Sequence, residues 1–412
     1  MTTTARVDEA RLWQSHVEMA RIGALPNGGC CRTALSADDK AGRDLFVGWC
    51  REAGCEVAFD QVGNIYARRA GRDAARRPVA TGSHLDTQPH AGKYDGIYGV
   101  LAGLEVVRTL NDARVVTHAP IDVIVWTNEE GVRFGPPLGG SSAFAGSASV
   151  ESIQSARTLD GTSVLEDLRS IGYLGTELPG ARKLDCFVEA HIEQGPILEA
   201  ERRTIGVVTQ IQGIRWTTVT LIGMDSHAGT TPMHLRKDAL LCAAEIILEL
   251  NRLACEQDSF ARLTVGKLHV EPNSGATIPG KAVLNYDLRH PDAQILAALD
   301  LRMQEAIHAI TQRRGLSVQL QRSIDKAPVH FAGDLVDCVR RSASLCGYSS
   351  MDMLSGAGHD AMNVAKVAPT AMIFVPCKGG LSHNEAESAN APDLAAGANT
   401  LLHTLLQRAG HT

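Results

Sequence analysis

The sequence predicts an α/β protein: a mixed sheet with helices, interrupted by an inserted ferredoxin-like module. Three observations predict it. Helical and strand-like patterns alternate through the first half. Near Gln212 the pattern changes to strand–helix–strand–strand–helix–strand, and after Pro328 the first pattern returns. Residues 1–211 and 329–412 therefore read as one discontinuous domain, and residues 212–328 as the insert.

Taken in order, apolar residues at helical spacing predict helices over residues 6–22 and 39–53. Strands over residues 56–60 and 64–69 follow, joined by a turn containing Gly63. The segment "RPVATGSHLDT" begins apolar and breaks into a polar loop after Gly82, "GIYGVLAGLEVVRTLND" is an amphipathic helix, and "IDVIVWTNEEG" is the next strand. "CFVEAHIEQG" repeats the design of an apolar strand with a polar end. Within the insert, "GIRWTTVTLIG", "ARLTVGKLHV", "KAVLNYDLRH" and "LSVQLQRS" read as strands. "RKDALLCAAEIILELNRLA" and "AQILAALDLRMQEAIHAITQRRG" read as helices. A helix over residues 334–346, a strand over 371–375 and a last helix complete the chain.

At 412 residues the chain is long enough for two domains. A 44% hydrophobic and 21% charged composition is that of a soluble globular protein, and the net charge of −6 gives no electrostatic reason to expect nucleic acid or an anionic membrane. The opening residues lack the apolar centre of a signal peptide, and no run approaches the length of a membrane span, so a cytoplasmic location is expected. Cys30 and Cys31 are adjacent, and no pair of the ten cysteines has zinc-knuckle spacing; packed, reduced thiols are expected.

Metal-capable side chains concentrate where strands end. His84, Asp86 and Asp95 lie in "GSHLDTQPHAGKYDG", Glu129 and Glu130 in "NEEG", His191 in "EAHIEQG" and His383 in "GGLSHNEAE". Each alone has a simpler reading, such as a turn-forming Asp95 before Gly96 or a solvated pair of glutamates. Simple readings do not explain why the pattern recurs at strand ends among glycines. Imidazole and carboxylate are the ligands of divalent zinc, and they suit manganese, cobalt or nickel as well.

These segments, with "WTNEEGVRF", "SHAGTTPM", "LNYDLRHPD" and "SGAGHDAM", resemble the amidase (hydantoinase/carbamoylase) branch of the M20 metallopeptidase family. That branch holds N-carbamoyl-L-amino acid amidohydrolases, β-ureidopropionases and allantoate amidohydrolases. The resemblance implies a catalytic domain with two divalent metal ions per subunit, zinc first and manganese, cobalt or nickel as alternatives. By position it makes Asp95 the bridging ligand, with His84 and His191 on one ion and Glu130 and His383 on the other. Glu129 becomes the general base, and Asp86 the carboxylate that orients His84.

For the insert, the resemblance implies a lid that mediates a homodimer, with His227 reaching the partner's site to stabilise an oxyanion. Arg289 would capture a substrate carboxylate, and Gln194 and the backbone around Gly358 would add substrate contacts. One position departs from the family pattern: Ala276 stands where an asparagine usually helps hold that carboxylate, and Asn273 is the nearby candidate replacement. The expected reaction is hydrolysis of the carbamoyl C–N bond of an N-carbamoyl amino acid. An allantoate-type amidohydrolase, a plain M20 aminopeptidase or deacylase, and an inactive dimeric binding protein of the same fold are the alternatives.

Overall fold

The segments Val79–His84, Ile121–Trp126, Cys186–Ile192 and Thr370–Val375 are strands buried along their whole length. Strands hidden on both faces belong at the centre of a parallel sheet. In the computed structural model, which describes residues 5–411, these four lie side by side and parallel. Their order is Ile121–Trp126, Val79–His84, Cys186–Ile192, Thr370–Val375. Parallel neighbours place their carboxyl ends along one edge, where loops converge. Ile65–Arg69 and then Glu56–Phe59 extend the sheet antiparallel on one side. Ile205–Ile211 pairs antiparallel with Thr370–Val375 on the other side, with Val329–His330 and Ser350–Ser355 beside it. The result is a mixed nine-stranded sheet. Helices Ile97–Asp112 and Ala391–Ala409 pack on its central strands and on each other.

Three of these strands, Ile205–Ile211, Ser350–Ser355 and the two-residue Val329–His330, are absent from the sequence reading. Ile205–Ile211 is separated from the following strand, Gly213–Ile222, only by Gln212, so no turn signal divides them. Ser350–Ser355 has two methionines and little β-branched content, and its pairing with Ile205–Ile211 overrides weak local preference.

The chain divides into two compact units, Met1–Thr209 with His330–Thr412, and Gln210–Val329. The second has its own sheet, in the order Ser317–Lys326, Gly213–Ile222, Lys281–His290, Arg262–Glu271, all antiparallel. Lys281–His290 alternates strictly: Ala282, Leu284, Tyr286 and Leu288 are buried against helices Ala239–Gln257 and Ala293–Arg313, while Asn285, Asp287 and Arg289 face the other way. All ten cysteines are free thiols, and all but Cys31 and Cys255 are buried. Among the described residues, no helix is long and apolar enough to cross a membrane.

Candidate metal centre

The end of strand Ile121–Trp126 explains the paired glutamates. Trp126 is fully buried, edge-on to Phe144 and Phe187 at 5.1 and 5.8 Å between ring centroids, which pins the strand's last residue. Asn128 then adopts φ 56° and Gly131 φ 67°, left-handed backbone on either side of the pair. Asn128 tolerates that conformation while its side-chain amide donates to the Phe134 carbonyl at 2.7 Å. Strand alternation therefore stops, and the carboxylates of Glu129 and Glu130 reach one space together with His84.

Asp86 holds this turn from below. Its two carboxylate oxygens accept the backbone N–H groups of Glu129 and Glu130 at 3.3 and 3.1 Å. This corrects one expectation. The Asp86 side chain lies 4.0 Å from Nδ1 of His84, too far for a hydrogen bond; its backbone carbonyl meets that nitrogen at 2.8 Å. The imidazole is still oriented by residue 86, through the main chain, because the carboxylate is engaged by the glutamate loop.

Asp95 sits at the middle of the cluster. Its Oδ1 is 3.2 Å from Nε2 of His191 and 3.7 Å from Nε2 of His84, and its Oδ2 is 3.3 Å from Nε2 of His383. Glu130 lies 3.7 Å from His383, and Glu129 3.5 Å from His84. Ligand-capable atoms gather as His84–Asp95–His191 and as Asp95–Glu130–His383, within 4.8 Å of one another in each group. Gly96, at φ 71°, allows this approach: a Cβ there would stand 2.3 Å from the His84 ring.

The electrostatics of the cluster call for a cation. Burial, then the charge of Glu130, pushes the Glu129 carboxyl well above its ordinary range. Burial, then Asp95, raises Glu130 to about 8. Burial works against the charge of Asp95 too, but His191 and His383 hold its carboxyl well below the usual range. The hydrogen bond to Asp95 raises His383 to about 9 against the opposing effect of burial. Among the described residues, the ion pairs of Asp95, Glu129 and Glu130 are made to imidazoles alone. Oε1 of Glu130 is buried with no hydrogen-bond partner. A buried carboxylate oxygen without a donor is costly, and a divalent ion is what this donor set would accept. The residues fit metal.

Further side chains belong to the same place and were missed in the sequence. Gln88 donates to Oε2 of Glu130 at 2.7 Å. Glu189, fully buried two residues before His191, accepts Ser83 Oγ at 2.7 Å and the Ala361 N–H at 2.9 Å. The His359 ring stacks edge-on to His191 at 4.5 Å. The period-two spacing of Glu189 and His191 on one strand was the available signal for the first of these. Gln194, at φ 57°, turns its amide nitrogen to Asp95 at 2.7 Å and to Ser382 at 3.1 Å, so it contacts the cluster itself. Gly358 is half-buried, with nothing within 4 Å of where a Cβ would lie.

The remaining candidates lie in the second unit. Nδ1 of the exposed His227 accepts the backbone N–H groups of Gly229 and Thr230 at 3.0 and 3.2 Å. A ring nitrogen that accepts twice carries no proton, so the neutral ring presents Nε2–H as a donor. Arg289 is gripped by Asp287 through Nε and Nη2 at 2.9 and 2.8 Å, which fixes its plane. Asn273 and Ala276 are exposed, and Ala276 accepts the Ala228 N–H at 3.0 Å.

A large mixed sheet whose parallel strands deliver imidazoles and carboxylates to one edge defines the class: an α/β protein with a site suited to divalent metal. The chain belongs to peptidase family M20/M25/M40, which matches residues 80–407. It is 46% identical over 404 residues to an N-carbamoyl-L-amino-acid amidohydrolase of Rhizobium meliloti, covering 98% of this chain and 97% of that one. An allantoate amidohydrolase of Escherichia coli is 34% identical, with 95% and 96% covered. Among solved structures, a hydantoinase/carbamoylase family amidase from Burkholderia multivorans matches with TM-score 0.94 and 50% identity over 99% of both chains.

Proposed function

We propose that this chain is a dinuclear metal-dependent amidohydrolase that cleaves the carbamoyl C–N bond of an N-carbamoyl amino acid. The products are the amino acid, ammonia and carbon dioxide. The observation that carries the reading is the position of Asp95, within 3.7 Å of three imidazoles, with Glu129 and Glu130 at the same edge.

His84 and His191 with Asp95 would hold one ion, and Glu130 and His383 with the same Asp95 the other, with zinc the first candidate. Divalent ions there supply Lewis acidity, polarising the ureido carbonyl and bringing the pKa of water towards neutrality. Glu129, whose one ion pair among the described residues is the 3.5 Å approach to the His84 imidazole, takes a proton from the attacking water. As oxygen adds to the carbamoyl carbon and the C–N bond breaks, Glu129 passes that proton to the leaving nitrogen. The carbamate that remains decomposes to carbon dioxide and the second amine. His227, with Nε2–H outward, donates to the oxygen that gains charge, and Arg289 pairs with the substrate carboxylate. Ala276 supplies no hydrogen bond to that carboxylate, which leaves Arg289 and Asn273 as its holders. The second unit acts as a lid and joins two chains into a homodimer, and the enzyme works in the cytoplasm on a small ureido substrate.

The second reading, an allantoate-type amidohydrolase, is favoured by the Escherichia coli relative. Ammonia release from N-carbamoyl-α-amino acids, N-carbamoyl-β-alanine and allantoate, with zinc or manganese added, separates the two. Inactivity on all three substrate classes overturns both.

A further inference from the structure

Glu387 is a buried acid that the reaction does not use. It is 4% exposed, and its Oε1 accepts the backbone N–H groups of Tyr94 at 2.9 Å and Asp95 at 3.2 Å. Its Oε2 meets Ser382 Oγ at 3.0 Å, and that hydroxyl is also 3.0 Å from Oδ2 of Asp95. One carboxylate therefore grips the main chain of Asp95 directly and shares the single Ser382 hydroxyl proton with its side chain. The opposite wall is Gly92, where a Cβ would stand 2.2 Å from the Glu387 carboxylate. No other residue type leaves room for the carboxylate in this position. The two loops that meet here are distant in sequence: one carries Asp95, the other His383.

We propose that Glu387 is a positioning residue that sets metal affinity by fixing the Asp95 carboxylate and locking its loop to the one that carries His383. The inference rests on Asp95 being a metal ligand. Groups of this kind, hydrogen-bonded to ligands and not to the ion, change metal affinity by about ten- to a hundredfold when lost.

The test titrates cobalt(II), then zinc, into metal-free full-length protein against a chelator of known affinity, and records the cobalt absorption spectrum. The variants are Glu387→Ala, Glu387→Gln and Gly92→Ala. Glu387→Gln keeps a carbonyl oxygen for the Tyr94 and Asp95 N–H groups. The expected results are affinity about ten- to a hundredfold weaker in Glu387→Ala with an altered spectrum, partial rescue in Glu387→Gln, and weakening in Gly92→Ala. Wild-type affinity and spectrum in folded Glu387→Ala overturn the proposal. Should Glu387→Ala not fold, the comparison of Gly92→Ala and Glu387→Gln with wild type decides in the same way. Failure of the wild-type protein to bind any metal instead overturns the reading of the centre on which the proposal rests.

Discussion

Oδ2 of Asp86 accepts the backbone N–H of Glu130 at 3.1 Å, while the carbonyl of the same aspartate meets His84 at 2.8 Å. One residue thus ties the imidazole at the end of strand Val79–His84 to the glutamate pair at the end of its neighbour Ile121–Trp126. The division of labour is physical: a carbonyl suffices to fix a tautomer, and a carboxylate can satisfy two loop N–H groups at once. The glutamates are then held by their main chain, which leaves their side chains to the chemistry.

Glu129→Gln removes the carboxylate proposed above as the base and keeps its size. Turnover on the best ureido substrate is expected to fall by about 10²–10⁴-fold. Metal content, measured by elemental analysis after gel filtration, stays near that of the wild type. Retained turnover assigns the proton transfer to another residue.

Gly96→Ala places a methyl group 2.3 Å from the His84 ring, at a residue with φ 71°. Strain and displacement together are expected to cost about 1–3 kcal/mol of stability in urea unfolding and to weaken metal binding. A variant as stable as wild type, with equal metal affinity, contradicts the close approach.

His16 gives a pH dependence. Its ring is buried beside Tyr94 and Tyr98, at 5.6 and 6.1 Å, and neither nitrogen has a hydrogen-bond partner among the described residues. Burial lowers its pKa to about 3. Between that value and about 6.5, the ordinary value for histidine, the unfolded chain binds a proton that the folded chain does not. Stability from this position is therefore complete above about pH 6.5 and declines as pH falls towards 3. His16→Phe cannot titrate, so its stability relative to wild type is expected to improve steadily as the pH of chemical denaturation is lowered from 7 to about 4. A stability difference that does not change with pH overturns this assignment.

Under the role proposed for it, the capture of the substrate carboxylate, Arg289→Ala is expected to raise KM by roughly thirtyfold, about 2 kcal/mol, with a smaller effect on kcat. Arg289→Lys restores little, since the ammonium lacks the fork geometry. If the active sites of a homodimer are shared, mixing Arg289→Ala with His227→Ala under subunit exchange restores part of the activity. Absence of rescue in proven mixed dimers rules sharing out.

The parts of this architecture that were legible in the sequence are those with strong local signals. The strands Ile121–Trp126 and Cys186–Ile192 announce themselves by apolar runs that stop at polar ends, and the six long elements of the second unit by clean switches of period; its short pieces Ser226–His227, Met233–Leu235 and Thr277–Ile278 carry no such signal. Ile205–Ile211 was hidden because Gln212 is the only residue between it and the next strand. His84, Asp95, the glutamate pair, His191 and His383 stood out as metal-capable types at strand ends. Gln88, Ser382, Glu387 and His359 did not, because what they do depends on a neighbour from a different loop. The use of the Asp86 carboxylate was illegible for the same reason: spacing cannot tell which of its two kinds of oxygen meets His84.

The first unit is made of two stretches of chain with Gln210–Val329 between them, and this orders the centre in time. During translation His84, Asp95, Glu130 and His191 all emerge first, then the whole second unit, and only afterwards His383 with its supporting strand Thr370–Val375. The group Asp95–Glu130–His383 can close only once the ribosome has passed that strand. A polypeptide halted within the second unit already carries every member of the group His84–Asp95–His191 and lacks only the His383 imidazole of the other, so the two halves of the centre are completed in sequence.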